Sequence, residues 1–143
     1  MRLPILIAAS LSIAACGSDG EKAATQGPGT GLGSGQWELG PKSGLCAAAD
    51  GSAAFFIDSD SGANCMAQGT VEQGEEGALV FVPRGDNRCR IPIEDRGQSI
   101  VLGDGGEACS YYCGGDARYA GRELVRNWEP TRELTDGAGD PIC

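Results

Sequence analysis

Seven cysteines, no histidine and twenty carboxylates bound the chemistry open to this 143-residue chain. The stretch EACSYYCGG, residues 107–115, sets Cys109 and Cys113 four apart around Tyr111 and Tyr112. Two thiols so placed could bind a metal, exchange disulfides or lock a fold. A zinc site wants paired C-x2-C knuckles or histidines, and a dithiol redox centre wants C-x2-C beside a βαβ pattern; a single C-x3-C without histidine supplies neither. On one helical turn the two side chains would share a face about 6 Å apart with parallel Cβ vectors, a poor geometry for pairing with each other. Each is therefore expected to reach a different partner, with Tyr111 and Tyr112 packing around the bridges.

The redox environment is written at the other end of the chain. Residues 1–15 carry one basic side chain, Arg2, followed by an uncharged, mostly apolar run. That run is shorter than the about 20 residues needed to span a hydrocarbon core, and it reads as a signal peptide. Ile13, Ala14, Ala15 and Cys16 resemble the lipobox of bacterial lipoproteins: an aliphatic residue, two small ones, then the cysteine that takes diacylglycerol and, after cleavage, becomes the N-terminus. The resemblance implies that Cys16 carries acyl chains such as palmitate and that the membrane is reached through lipid. In lipoproteins of the enteric type an Asp after the cysteine retains them in the inner membrane; Gly17 stands there, which implies the outer membrane, facing the periplasm.

Without Cys16, six cysteines remain: Cys46, Cys65, Cys89, Cys109, Cys113 and Cys143. An even number in an oxidising compartment predicts three structural disulfides, with connectivity left open among fifteen possibilities. The pairing preferred here is Cys89 with Cys109, Cys113 with Cys143, and Cys46 with Cys65.

Other motifs compete with turn chemistry. Asp58, Asp60 and Asn64 in DSDSGAN offer alternate oxygens, as a calcium loop does, but Gly62 and Gly69 stand where further EF-hand ligands belong. An Asp-rich hairpin turn accounts for them. Arg84-Gly85-Asp86 matches a tripeptide read by some adhesion receptors and equally reads as a turn. Asp104, Glu107 and Asp116 could supply an acid and a base, although sequence spacing does not set their separation. With no histidine and no G-x-S-x-G elbow, the expectation is a protein without catalysis and without a cofactor.

The elements that must position these groups follow from pattern. Residues 16–36, rich in Gly and small polar side chains, read as a flexible linker, whose twenty or so residues would span roughly 25 Å. Residues 37–143 form one small domain. AAFFI (53–57), ALVFV (78–82), CRIPI (89–93) and SIVL (99–102) are strand-like and alternate with Gly, Asp, Asn and Glu-rich turns. Pro92 cannot donate to a ladder, which predicts an edge or a bulge. Ala120, Leu124 and Trp128 suggest a short helix over 116–127. The expected fold is mainly β: a small antiparallel sandwich or barrel-like meander, stapled by disulfides, with a helical segment near the C-terminus.

Once Arg2 is removed, twenty acidic side chains face ten basic ones, a formal charge of −10. That balance argues against nucleic acid and favours a basic protein or no charged partner at all, since such a charge also serves solubility. The expected role is a lipid-anchored envelope domain that binds or supports. Compartment, size and charge alone are similar to those of the small acidic lipoproteins of the lysozyme-inhibitor family, which implies inhibition of a cationic protein as one alternative. A carboxylate-dependent hydrolase is another.

Overall fold

The computed structural model describes residues 31–143; the expected signal peptide, the expected lipidation site Cys16 and most of the expected linker lie outside the described residues. Eight strands follow one another in chain order: β1 (Gly35–Leu39), β2 (Ser43–Ala47), β3 (Ser52–Asp58), β4 (Asn64–Gln73), β5 (Leu79–Pro83), β6 (Ile91–Asp95), β7 (Ser99–Leu102) and β8 (Glu123–Asn127). Each pairs antiparallel with the next, and β8 pairs antiparallel with β1, Trp37 opposite Arg126, so the meander closes into a barrel. Of the two architectures open to the sequence, the barrel is the one formed. Closure leaves no edge strand among the described residues.

Period-two alternation builds the wall. Along β4, Cys65, Ala67 and Val71 are buried while Met66, Gln68, Thr70 and Glu72 face out. The inner face of all eight strands converges on one core containing Trp37, Leu45, Phe55, Val71, Phe81, Ile91, Ile100 and Leu124. Phe55 and Phe81 meet edge to face, with centroids 5.2 Å apart. An eight-stranded barrel is just wide enough for side chains to fill it, and burying each large side chain contributes about 1.5–3 kcal/mol. Gly69 lets β5 approach β4: a Cβ there would run into the Val82 carbonyl oxygen and lie 2.8 Å from Pro83 Cα.

Strands β2 and β3 are buried on both faces. Their outer face, Cys46, Ala54 and Phe56, is covered by Leu134 and Ile142 of the C-terminal segment. That segment is itself a small antiparallel turn, with Thr135 bridged to Pro141 and Ile142 N–H bonded to Leu134 O at 3.0 Å.

Three disulfides hold these parts: Cys46–Cys143, Cys65–Cys113 and Cys89–Cys109. Cys109 and Cys113 do take different partners, from a 3₁₀ turn at Glu107–Tyr112 that sits over one end of the barrel. The expected pairs Cys46–Cys65 and Cys113–Cys143 are wrong. With β3 between β2 and β4, Cys46 and Cys65 are two strand spacings apart, about 9–10 Å sideways, and three residues out of register, beyond the reach of a disulfide. They also face opposite sides, Cys46 outward and Cys65 into the core. Cys113 is instead bridged directly opposite Cys65.

The expected helix over 116–127 is also absent. Gly121 takes φ 76° in a turn closed by Arg122 N–H to Tyr119 O at 3.0 Å, and the chain then enters β8. Pro92 lies at no edge. Its carbonyl accepts from Gly103 N–H at 2.7 Å, just past the end of the β6–β7 ladder, so its missing donor falls where strand pairing is finishing. The first strand begins at Gly35, and Leu32 is already buried, so the fold takes in the last residues of the Gly-rich stretch.

Candidate functional site

At the end of the barrel where β3 turns into β4, the C-terminal segment stands off the wall and leaves an open cleft of about 700 Å³. Phe56 lies along it, and Lys42, Asp58, Asn64 and the loop Thr135–Gly139 surround it. Local structure explains each position. Lys42 belongs to the β1–β2 turn, whereas Asp58 and Asn64 are the register partners that open the β3–β4 hairpin. Asp136 shapes the far wall: its Oδ1 accepts the backbone N–H of Ala138 and of Asp140, both at 2.9 Å. The Cys46–Cys143 bridge fastens that wall to β2.

Among the described residues no hydrogen bond or ion pair engages the Lys42 ammonium, the Asp58 carboxylate or the Asn64 side-chain amide. A cation, an anion and an amide with free capacity thus line one open, mostly polar cleft, with Phe56 as its one large apolar side chain. Asp60 lines a neighbouring cleft of about 450 Å³, again with Lys42 and Asp58. The three calcium candidates therefore divide between two clefts. The EF-hand pattern fails for a structural reason as well: from Asn64 onward its second half is strand β4, with Gly69 locked against β5.

Of the carboxylates offered for acid–base chemistry, Asp104 and Asp116 are engaged in hydrogen bonds. Asp104 Oδ1 accepts Gly106 N–H at 2.8 Å, and Glu107 is exposed at the start of the 3₁₀ turn. Asp116 accepts from the hydroxyls of Ser61 and Ser59, tying the β3–β4 hairpin to the loop before β8. The Ser61 bond, Asp116's own backbone amide and the Ser59 bond hold its carboxyl below the usual carboxylate range. Asp86 of Arg84-Gly85-Asp86 is also committed. Partial burial would push its carboxyl up, but the Arg88 amide at 3.1 Å and the Tyr112 hydroxyl at 3.2 Å outweigh this and hold it low. Tyr112 packs against the core as expected, whereas Tyr111 is 87% exposed and merely stands edge-on to it.

Every described carboxyl group with a shifted pKa, Glu38, Asp50, Asp86, Glu94 and Asp116, is shifted down. A general acid at neutral pH needs the opposite shift. Lys42 and Asp136 carry no signal in the sequence, where PKSG and TDGAGD read as turns. Lys42 comes beside Asp58 through the pairing of β2 with β3, and Asp136 joins them only because the tail folds back. Comparison with known proteins finds no family model, curated protein or solved structure that matches this chain.

Proposed function

We propose that this protein is a lipid-anchored domain of the bacterial cell envelope, facing the periplasm from the outer membrane, whose role is to bind rather than to catalyse. The observation that carries the binding role is the cleft at Lys42, Asp58 and Asn64, where polar groups of both signs are left unpaired beside Phe56. Opposite charges held apart within one site suit a small polar ligand or a peptide end carrying both an ammonium and a carboxylate. The anchoring half of the proposal rests on Ile13-Ala14-Ala15-Cys16 in the sequence.

Two measurements test it. Intact mass of the membrane fraction is expected to show loss of residues 1–15 and addition of acyl mass, and Cys16→Ser to release the protein; a Cys16→Ser chain still in the membrane refutes the anchor. A turnover screen is expected to be blank. Activity abolished by substituting a single carboxylate would refute the non-catalytic role. The formal charge of −10 left once Arg2 is removed favours a second reading, a basic protein such as lysozyme as partner, for which salt-sensitive inhibition of lysozyme is the expected result.

A further inference from the structure

We propose a second binding site, apart from the Lys42–Asp58 cleft: Trp128 and the groove beside it form a platform for an uncharged glycan of β-linked pyranose rings. The site lies at the opposite end of the barrel, where β1 begins and β8 ends. There Arg126 folds across the barrel mouth. Its guanidinium carbon is 4.7 Å from the ring centroid of Trp37 and 4.2 Å from that of Trp128, bridging the two rings. One of its nitrogens donates to Ser34 O at 2.7 Å. A Cβ on Gly35 would lie 2.9 Å from that same nitrogen, so the bare glycine makes room for the guanidinium.

Trp37 is 1% exposed and fixed in the core, so the cation resting on it is fixed too, and through it the outer ring. Trp128 nevertheless remains 68% exposed, one face on Arg126 and the other open to solvent. A rigid aromatic face already held in place loses little conformational freedom when a ligand covers it.

The groove, about 470 Å³, runs from Trp128 past the exposed Val125 to Asn127, Glu38 and Glu129. Its charges are largely answered from within. Glu38 accepts from Gln36 at 2.7 Å, Asn127 at 2.8 Å and Arg132 at 3.1 Å, while Arg126 is spent on Ser34 and the two rings. Glu129 is the one lining charge outside this arrangement. A basic protein segment would need several uncompensated carboxylates, and the groove has one. A flat aromatic face, an aliphatic neighbour and one free carboxylate, Glu129, instead match a pyranose ring. Such a ring offers an apolar C–H face to stack and a hydroxyl edge to hydrogen-bond.

Trp37 and Trp128 are the chain's two tryptophans and both emit, but only Trp128 is exposed, so a ligand-induced shift that is lost in Trp128→Tyr reports on Trp128. Titration with β-linked hexasaccharides of glucose and of N-acetylglucosamine is expected to give a saturable blue shift with at least one of them. Trp128→Ala is expected to weaken that binding on the order of tenfold or more, measured by calorimetry, and Trp128→Tyr to retain part of it. Circular dichroism checks that both variants fold. Silence with both hexasaccharides, or unchanged binding by Trp128→Ala, overturns the proposal. So does a Trp128-dependent interaction with lysozyme in a protein that ignores both sugars, since the surface would then be a protein contact.

Discussion

Replacing Cys46 and Cys143 together by alanine separates what the covalent link contributes from what packing contributes. The link joins β2 to Cys143 across 97 positions and so encloses strands β3 to β8. Treated as a constraint on the unfolded chain, a loop of that length is worth about 4.7 kcal/mol. The corresponding figures are about 4.1 kcal/mol for Cys65–Cys113 and about 3.3 kcal/mol for Cys89–Cys109, whose separations are 48 and 20. The first bridge gives the cleanest measurement, because Cys143 is exposed and the other two bridges sit in the core, where truncation would also open a cavity. A domain of this size has a total stability of about 5–15 kcal/mol, so the loss should be large and the protein still folded. In urea, with a slope near 2 kcal/mol/M, the midpoint should fall by about 2 M, with a steeper slope because the unlinked unfolded chain is more expanded. Hydrogen exchange at Ile142, whose amide bonds to Leu134, should accelerate more than exchange in β3 and β4. A loss under about 1 kcal/mol, with Ile142 still as protected as the barrel, would refute this reasoning: Leu134 and Ile142 would then hold the tail by packing alone.

Gly69→Ala should cost about 3 kcal/mol or more, read from the thermal midpoint, because its methyl group meets backbone of β5 rather than a side chain that could move. Asp86 and Asp116 have folded pKa values below the ordinary 3.8, so their contribution to stability is present above that pH and is lost as pH falls through the lowered values. The thermal midpoint of the native protein should therefore drop between pH 4 and pH 2 by more than that of Asp116→Asn; identical acid profiles would remove Asp116 from this account. Non-reducing peptide mapping should return Cys46–Cys143, Cys65–Cys113 and Cys89–Cys109 with no free thiol among the six.

Four strands are legible in the sequence: β3, β5, β6 and β7 are short apolar runs rich in Phe, Val and Ile between turn residues. The other four are not. β4 puts Cys65, Ala67 and Gly69 on its inner face, small residues with little hydrophobic contrast, and β2 relies on Ser43 and Gly44. β1 begins inside a stretch whose composition is that of a linker, and β8 falls where a four-residue apolar spacing, Ala120, Leu124 and Trp128, suggests a helix. In the fold, Leu124, Arg126 and Trp128 follow a period of two: Leu124 is buried, and Arg126 and Trp128 stack at the mouth.

From its sequence alone, the chain is a mainly β domain with an even set of structural cysteines, because alternation, turn residues and thiol parity are local or compositional properties. That Cys109 and Cys113 take different partners follows as well, from the parallel directions of two side chains on one turn. Which thiols those partners are, and which polar groups meet in the cleft, depends on strand order and register. A one-residue slip exchanges the inner and outer faces of a strand, and closure brings β1 beside β8, so that Trp37 lies opposite Arg126 across about ninety residues of chain. No local pattern encodes a contact of that kind. The disulfide pairs, the Lys42–Asp58 cleft and the Arg126 stack are therefore decided only when the barrel closes and the tail packs on its outer face.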